Sequence, residues 1–291
     1  MEYSFPRYLQ SKQTVDDRAL NKDVFQVLKA NLPTAPFRVT EIGAGIGTMI
    51  PRLMEWGLLT DADYLALDGM DENISYAAEW ILNWGKSAGL RAERNAGKIR
   101  LHDRRRDVRI TLEEVDVFDF IKRKPPKSDL LIASAVLDLF PLPHSLPKLF
   151  SLTKGLAWLT INFDGMTTFE PSIDAALDAT IERLYHATMD TRSTGGDSQT
   201  GRHLFSHFRS AGAQILAAGA SDWVVHPIRG KYPADEKYFL RFILHFFEES
   251  LTGHKGLDPN AFANWLSRRR AQIERGELVY IAHQMDFLVK A

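Results

Sequence analysis

Phe37-Arg38-Val39-Thr40-Glu41-Ile42-Gly43-Ala44-Gly45-Ile46-Gly47 is the stretch on which the fold turns. A β-forming run leads into three glycines at alternate positions, and Met49, Ile50, Leu53, Met54 and Trp56 then recur at helical spacing. The reading is strand, glycine turn, helix. Glycine permits a tight turn and a close approach of backbone to ligand. The start of the following helix offers free N–H groups and a positive dipole end to an anion.

The same alternation continues outward. Residues 64–67 predict a second strand stopping at Asp68-Gly69, and 72–84 a second helix. Residues 112–117 predict a strand ending near Asp116, 129–133 a buried strand, and 156–161 another, closed by Asn162-Phe163-Asp164-Gly165. Arginine-rich residues 91–109 alternate loosely around Ile99, Leu101, Val108 and Ile110, which suggests a hairpin. Beyond 170 we expect helices over 172–189, 202–211 and 235–251, a further helix opened by Asp258-Pro259, strands near 214–218 and 223–225, and a last strand reaching Val289. Residues 191–201 read as a polar, glycine-bearing loop. The first 30 residues read as helix with Thr14 as N-cap, stopped by Leu32-Pro33-Thr34-Ala35-Pro36. Strands alternating with helices imply an α/β fold: a doubly wound, mostly parallel, seven-stranded sheet with helices on both faces. Residues 1–36 form an N-terminal helical cover. The main domain is 37–291, with a helical insertion at about 231–276 before the last strand.

Composition bounds the chemistry. The 291 residues are 45% apolar and 25% charged, and 36 Lys+Arg against 37 Asp+Glu give a net charge of −1. That balance makes no overall case for nucleic acid or an anionic membrane. No apolar run approaches a bilayer span, and Met1-Glu2-Tyr3-Ser4-Phe5-Pro6 lacks the pattern of a signal peptide, so the expectation is a cytoplasmic protein. With no cysteine there is no disulfide, iron–sulfur cluster, thiolate zinc site or cysteine nucleophile. No metal is called for.

Two ligand classes use a glycine turn of this kind, dinucleotides and S-adenosylmethionine. The dinucleotide fingerprint wants glycine or alanine three residues after the second glycine, where this chain has Thr48. The chain resembles the class I S-adenosylmethionine-dependent methyltransferases over roughly residues 37–165. Glu41-Ile42-Gly43-Ala44-Gly45-Ile46-Gly47 looks like the family's first motif, so the resemblance implies a cofactor site containing Glu41, Gly43, Ala44, Gly45 and Gly47. Asp68, with Gly69 beside it, is similar to the acid that holds the ribose hydroxyls. Asp116-Val117 is similar to the acid-plus-apolar pair that reads adenine. Residues 128–137, with Ser134, are similar to the fourth-strand motif that borders the methyl group. The implied cofactor is S-adenosyl-L-methionine, the implied product S-adenosyl-L-homocysteine, and the implied reaction an in-line methyl transfer.

The acceptor is not named by any motif. Asp138, just past the fourth strand, is the candidate base or cation anchor. Arg18, Asp164, Arg192, Arg202 and His203 are candidates for substrate contact, Arg18 and the loop arginines because they could meet an anionic group. An Asn/Asp-Pro-Pro-aromatic motif of amine methylases is absent, since Ser134-Ala135-Val136-Leu137 stands there. The expected acceptor is therefore a small molecule with an O, N or C nucleophile. Alternatives are a protein or RNA partner, with the 91–109 arginines as footprint, or a catalytically silent S-adenosylmethionine-binding protein. Phe239 to Phe247 read as core, with an apolar pocket wall or a homodimer contact as the other readings.

Overall fold

The structure is a computed structural model and describes residues 3–95, 97–192 and 195–291. Met1 and Glu2 of the opening hexapeptide and Ser193 and Thr194 of the 191–201 loop lie outside the described residues.

The N-terminal segment forms three short helices rather than one: α1 (Phe5–Ser11), α2 (Gln13–Ala19) and α3 (Lys22–Asn31). Ser4 caps α1 and Asn21 caps α3 through their side-chain oxygens, so the expected cap at Thr14 is wrong. Thr14 sits inside α2 and donates to Glu236 Oε1 at 2.7 Å. The chain continues through β1 (Phe37–Ile42), α4 (Met49–Glu55), β2 (Asp61–Asp68) and α5 (Asp71–Ser87). Next come β3 (Arg91–Asn95), β4 (Lys98–His102), β5 (Asp107–Glu114), α6 (Val117–Lys122), β6 (Ser128–Ser134), a 3-10 turn over Leu137–Leu139, and α7 (Leu142–Phe150). The second half holds β7 (Thr153–Glu170), α8 (Ala175–Asp190), α9 (Thr200–Ser210), β8 (Gln214–Ala220), β9 (Trp223–Val225), α10 (Glu236–Leu251), α11 (Pro259–Arg275) and β10 (Val279–Lys290).

Among the described residues ten strands form one sheet in the order β3-β4-β5-β2-β1-β6-β7-β10-β8, with β9 on the far part of β10. Five central strands, β5-β2-β1-β6-β7, run parallel. Adding β10 and β8 recovers the seven expected strands. The count of seven was too low because the arginine-rich hairpin β3–β4 pairs onto β5 as two more antiparallel strands and β9 adds a tenth. The topology reverses at β1, where β2 and β6 flank it, and the glycine turn leaves the carboxyl end of that strand. This is where open α/β sheets bind ligands.

Both faces are covered, and the period-two alternation of strands decides which residue serves which face. Leu130, Ile132, Trp158 and Leu288 belong to the core under α1–α5 and α10–α11. Leu131, Ala133, Ala157, Leu159, Phe287 and Val289 belong to the core under α6, α7 and α9.

β7 is far longer than its predicted core. The strand kinks at Ile161 (φ 56°) and runs on to Glu170, paired with the 12-residue β10. Buried Asp286 secures the kink by accepting from Ile161 N at 2.7 Å and from Asn21 N at 2.8 Å. Asp164 therefore lies within a strand and not in a closing turn, as the sequence reading had it. Phe169 on this extension packs against Phe247 of α10 and Trp265 of α11, and Tyr280 of β10 packs against Phe239 of α10. Tyr8 of α1 stacks on Phe242 of α10 with ring centroids 4.5 Å apart. The Phe239–Phe247 stretch is thus core that joins α10 to the N-terminal helices.

Candidate active site

A cleft of about 320 Å³ opens at the carboxyl ends of β1, β2 and β6. Its floor is the glycine turn. Gly43, Gly45 and Gly47 all have left-handed backbone (φ 62°, 56° and 75°), which side chains disfavour. A Cβ on Gly43 would stand 2.6 Å from Val136 Cγ2, and one on Gly45 2.9 Å from Leu9 Cδ1 of α1. Conformation and space both require glycine there. Phe5, Leu9, Lys12 and Asp16 of the N-terminal helices form one wall of the cleft.

Asp68 ends β2 and is buried. Its carboxylate accepts from Gly45 N at 2.8 Å, Met70 N at 3.0 Å and Asn73 Nδ2 at 3.0 Å. Three donors use three of about four lone-pair positions, which leaves acceptor capacity toward the cleft. Asn73 lines the same cleft, and its Oδ1 is buried with no hydrogen-bond partner among the described residues. A buried orphan acceptor beside a fixed carboxylate fits the two hydroxyls of a ribose. Asp116 also lines the cleft, at the head of α6 rather than at the end of a strand. Its Oδ1 caps the helix through Phe118 N (2.8 Å) and Asp119 N (3.1 Å), and Oδ2 takes no part in that cap. Val115, Val117 and Met70 supply apolar surface around it.

Glu41 is buried on β1 and accepts from Tyr64 Oη at 2.8 Å. Burial pushes its carboxyl up to about 8, outweighing the Tyr64 hydrogen bond and the nearby Arg52 charge, which pull the other way. The sign follows: a folded-state value raised above about 4.5 gives stability that is complete below that pH and is lost as pH rises toward 8. Chemical denaturation between pH 5 and pH 8.5 is expected to show wild type losing on the order of 4 kcal/mol more than Glu41→Gln over that window. Asp286, raised to about 6 by burial, acts in the same direction in both proteins and drops out of the difference.

At the other end the cleft is closed by Ser134, Ala135, Val136, Leu139 and Phe140. Asp138 stands in this turn, half-buried. Its carboxyl is raised, because burial outweighs the pull of the Arg192 and Lys12 charges. The 195–197 loop packs on the turn: a Cβ on Gly196 would be 3.3 Å from the Asp138 carbonyl oxygen and 3.4 Å from Arg192 Cδ. Asp138 and Arg192 thus flank the same loop residue, and neither side chain lines the cleft.

The remaining predicted substrate residues are engaged elsewhere. Arg18 makes a two-pronged ion pair with fully buried Glu236 of α10 (2.6 and 2.9 Å), which clamps α2 to α10. Arg202 binds Asp164 through N and Nε, both at 2.8 Å, and His203 pairs with Asp197. Asp164 also faces His283 Nε2 at 3.6 Å, whose Nδ1 meets Asp222 at 2.7 Å. None of these side chains lines the cleft. Of the seven arginines in 91–109, Arg94, Arg100, Arg106 and Arg109 are held by the chain's own carboxylates, and none of the seven lines the cleft.

Asp16, Arg52 and Asn73 line the cleft without having been singled out for it. Asn73 carries a readable signal, an amide in the first turn of the helix after Asp68. Arg52 carries a weaker one, a cation among the apolar positions Met49, Ile50, Leu53 and Met54.

No family model matches the chain, and no curated protein matches it. Solved structures do. A cyclopropane-fatty-acyl-phospholipid synthase-like protein from Lactobacillus casei is 13% identical, with 99% of this chain and 93% of that one covered, at a TM-score of 0.52. A proposed methyltransferase from Bacillus halodurans is 10% identical, with 93% and 99% covered, at a TM-score of 0.50. At these identities the likeness is one of architecture, and the chain has the α/β fold of the class I methyltransferases.

Proposed function

We propose that the protein is an S-adenosylmethionine-dependent methyltransferase acting on a small-molecule acceptor. The supporting observation is the convergence in one cleft of three left-handed glycines, Asp68 with the orphan acceptor of Asn73, and Asp116. In this reading the glycine turn and Glu41 take the amino-acid tail, Asp68 and Asn73 the ribose, and Asp116 with Val117 the adenine. Ser134 borders the methyl group. The bound sulfonium supplies an electrophilic methyl carbon. The protein's own task is then to align the acceptor behind that carbon and to exclude water.

Asp138 is the group proposed to hold the acceptor, either by taking its proton or by pairing with its positive charge. Burial raises its carboxyl, the direction that strengthens a general base. Arg192 beside it would receive an anionic substituent. Residues 1–36 act as the cover, since α1 and α2 contribute a cleft wall, and the insertion at about 231–276 braces that cover through α10.

Isothermal titration with S-adenosylhomocysteine is expected to give one site per chain with a dissociation constant of about 1–100 μM. A folded protein that takes up neither S-adenosylmethionine nor S-adenosylhomocysteine overturns the proposal. Release of S-adenosylhomocysteine across a panel of amine, phenol and carboxylate acceptors then separates an enzyme from a silent binder.

A further inference from the structure

We propose that Arg52 is the receptor for the carboxylate of the cofactor's amino-acid tail, binding it through a guanidinium nitrogen that nothing among the described residues engages. The inference rests on the reading of the cleft as an S-adenosylmethionine site. Arg52 is 2% exposed, among the largest fully buried side chains. Nε pairs with Asp17, and Nη1 reaches only the Met49 sulfur at 3.7 Å. Nη2 is buried and has no partner among the described residues, while the residue lines the cleft beside Glu41, Gly43, Ala44 and Thr48.

A buried guanidinium with an unused donor is costly unless an acceptor meets it. The acids nearby are committed. Asp17 takes Nε. Asp16 is held by Lys12 at 3.1 Å and Trp223 Nε1 at 2.9 Å. Glu41 is held by Tyr64, and burial keeps its carboxyl largely protonated at neutral pH. What remains is a cation prepared for an anion from outside the chain, in a planar form that matches a carboxylate. The helix that carries it, α4, has seven residues and no side-chain cap at Thr48, so its dipole is a weak substitute. Arg52 lines the cleft together with the glycine turn, and in the same reading Asp68 and Asn73 mark the ribose. The tail would extend from one to the other.

The test compares S-adenosylhomocysteine with 5′-methylthioadenosine, which keeps adenine, ribose and thioether but lacks the amino-acid tail. In the full-length protein, Arg52→Met is expected to weaken S-adenosylhomocysteine about tenfold or more and to leave 5′-methylthioadenosine within about twofold. Asp17→Asn, which removes the partner but keeps the guanidinium, is expected to retain the wild-type ratio of the two affinities. Equal weakening of both ligands, or of neither, overturns the assignment, because a merely structural role does not distinguish them. Should Arg52→Met fail to fold, Arg52→Lys keeps the buried charge and loses the planar fork. Its affinity ratio is expected to fall about threefold, and an unchanged ratio overturns the role of Nη2. Wild type that binds neither nucleoside overturns the reading of the whole cleft, an outcome distinct from a failure of Arg52 alone.

Discussion

Asp68→Ala is expected to lower affinity for S-adenosylhomocysteine about 100-fold or more and to destabilise the folded protein by about 2–4 kcal/mol. Both effects come from one carboxylate. On the ligand side, alanine removes the charged acceptor that the ribose hydroxyls would meet, and charge-assisted hydrogen bonds in a closed cleft are the strong ones. On the protein side, the N–H groups of Gly45 and Met70 and the Asn73 amide lose their acceptor together. The Gly45 bond ties the glycine turn of β1 to the end of β2, so the turn loosens as well. Asp68→Asn separates the two effects. It keeps the shape and one acceptor oxygen, so most stability should return while affinity stays low. Titration with S-adenosylhomocysteine and urea denaturation of both variants measure this. Affinity within about threefold of wild type in Asp68→Ala would place the ribose elsewhere.

Gly43→Ala should be nearly as damaging through backbone geometry alone. A left-handed conformation costs a residue with a Cβ about 1–2 kcal/mol. The added carbon would also meet Val136 Cγ2 at 2.6 Å and Val136 Cβ at 2.9 Å. Val136 is buried and β-branched, so it has little freedom to turn aside. We expect a total cost of about 3 kcal/mol, a fall in melting temperature of about 5–10 °C and a loss of S-adenosylhomocysteine affinity of about 100-fold. The double variant Gly43→Ala/Val136→Ala relieves the contact but not the backbone strain. It should recover about half of the affinity loss on a logarithmic scale. Recovery to the wild-type value would mean that contact alone mattered, and no loss in the single variant would mean that the turn can reshape freely.

Asp68 and Gly43 were legible because their chemistry is local. A turn that needs positive φ selects glycine whatever surrounds it, and an acid closing a strand stands beside that turn once the strands are parallel neighbours. The alternating apolar runs of 37–42, 64–67, 129–133 and 156–161 likewise set the sheet by their own periodicity. Asp116 was legible by type and place, but the chain leaves β5 two residues earlier and uses this aspartate to cap α6. A capping aspartate and a strand-end aspartate look the same in sequence.

Arg18, Asp164 and Arg202 show the limit of that reading. Each is a charged side chain in a plausible place, and each finds a counter-charge far along the chain: Glu236 for Arg18, 218 residues away, and Arg202 for Asp164, 38 residues away. Whether a charge is free for substrate depends on that pairing, which periodicity and composition do not contain. Arg52 is the reverse case. It looks like an ordinary helix cation, and only the fold, which sets Asp17 of α2 against its Nε, leaves another of its nitrogens buried and without a partner among the described residues.

The sequence by itself determined the parallel sheet, the glycine turn at its reversal point and the acid Asp68 that ends the neighbouring strand, because those follow from short-range sterics and strand periodicity. The tertiary structure alone decided that the two short helices α1 and α2 wall the cleft, that β7 and β10 run on past the core, and which charges are paired and which face the cleft. Those outcomes depend on residues hundreds of positions apart being brought within hydrogen-bonding distance, where a buried charge must find an opposite partner or remain available for a ligand.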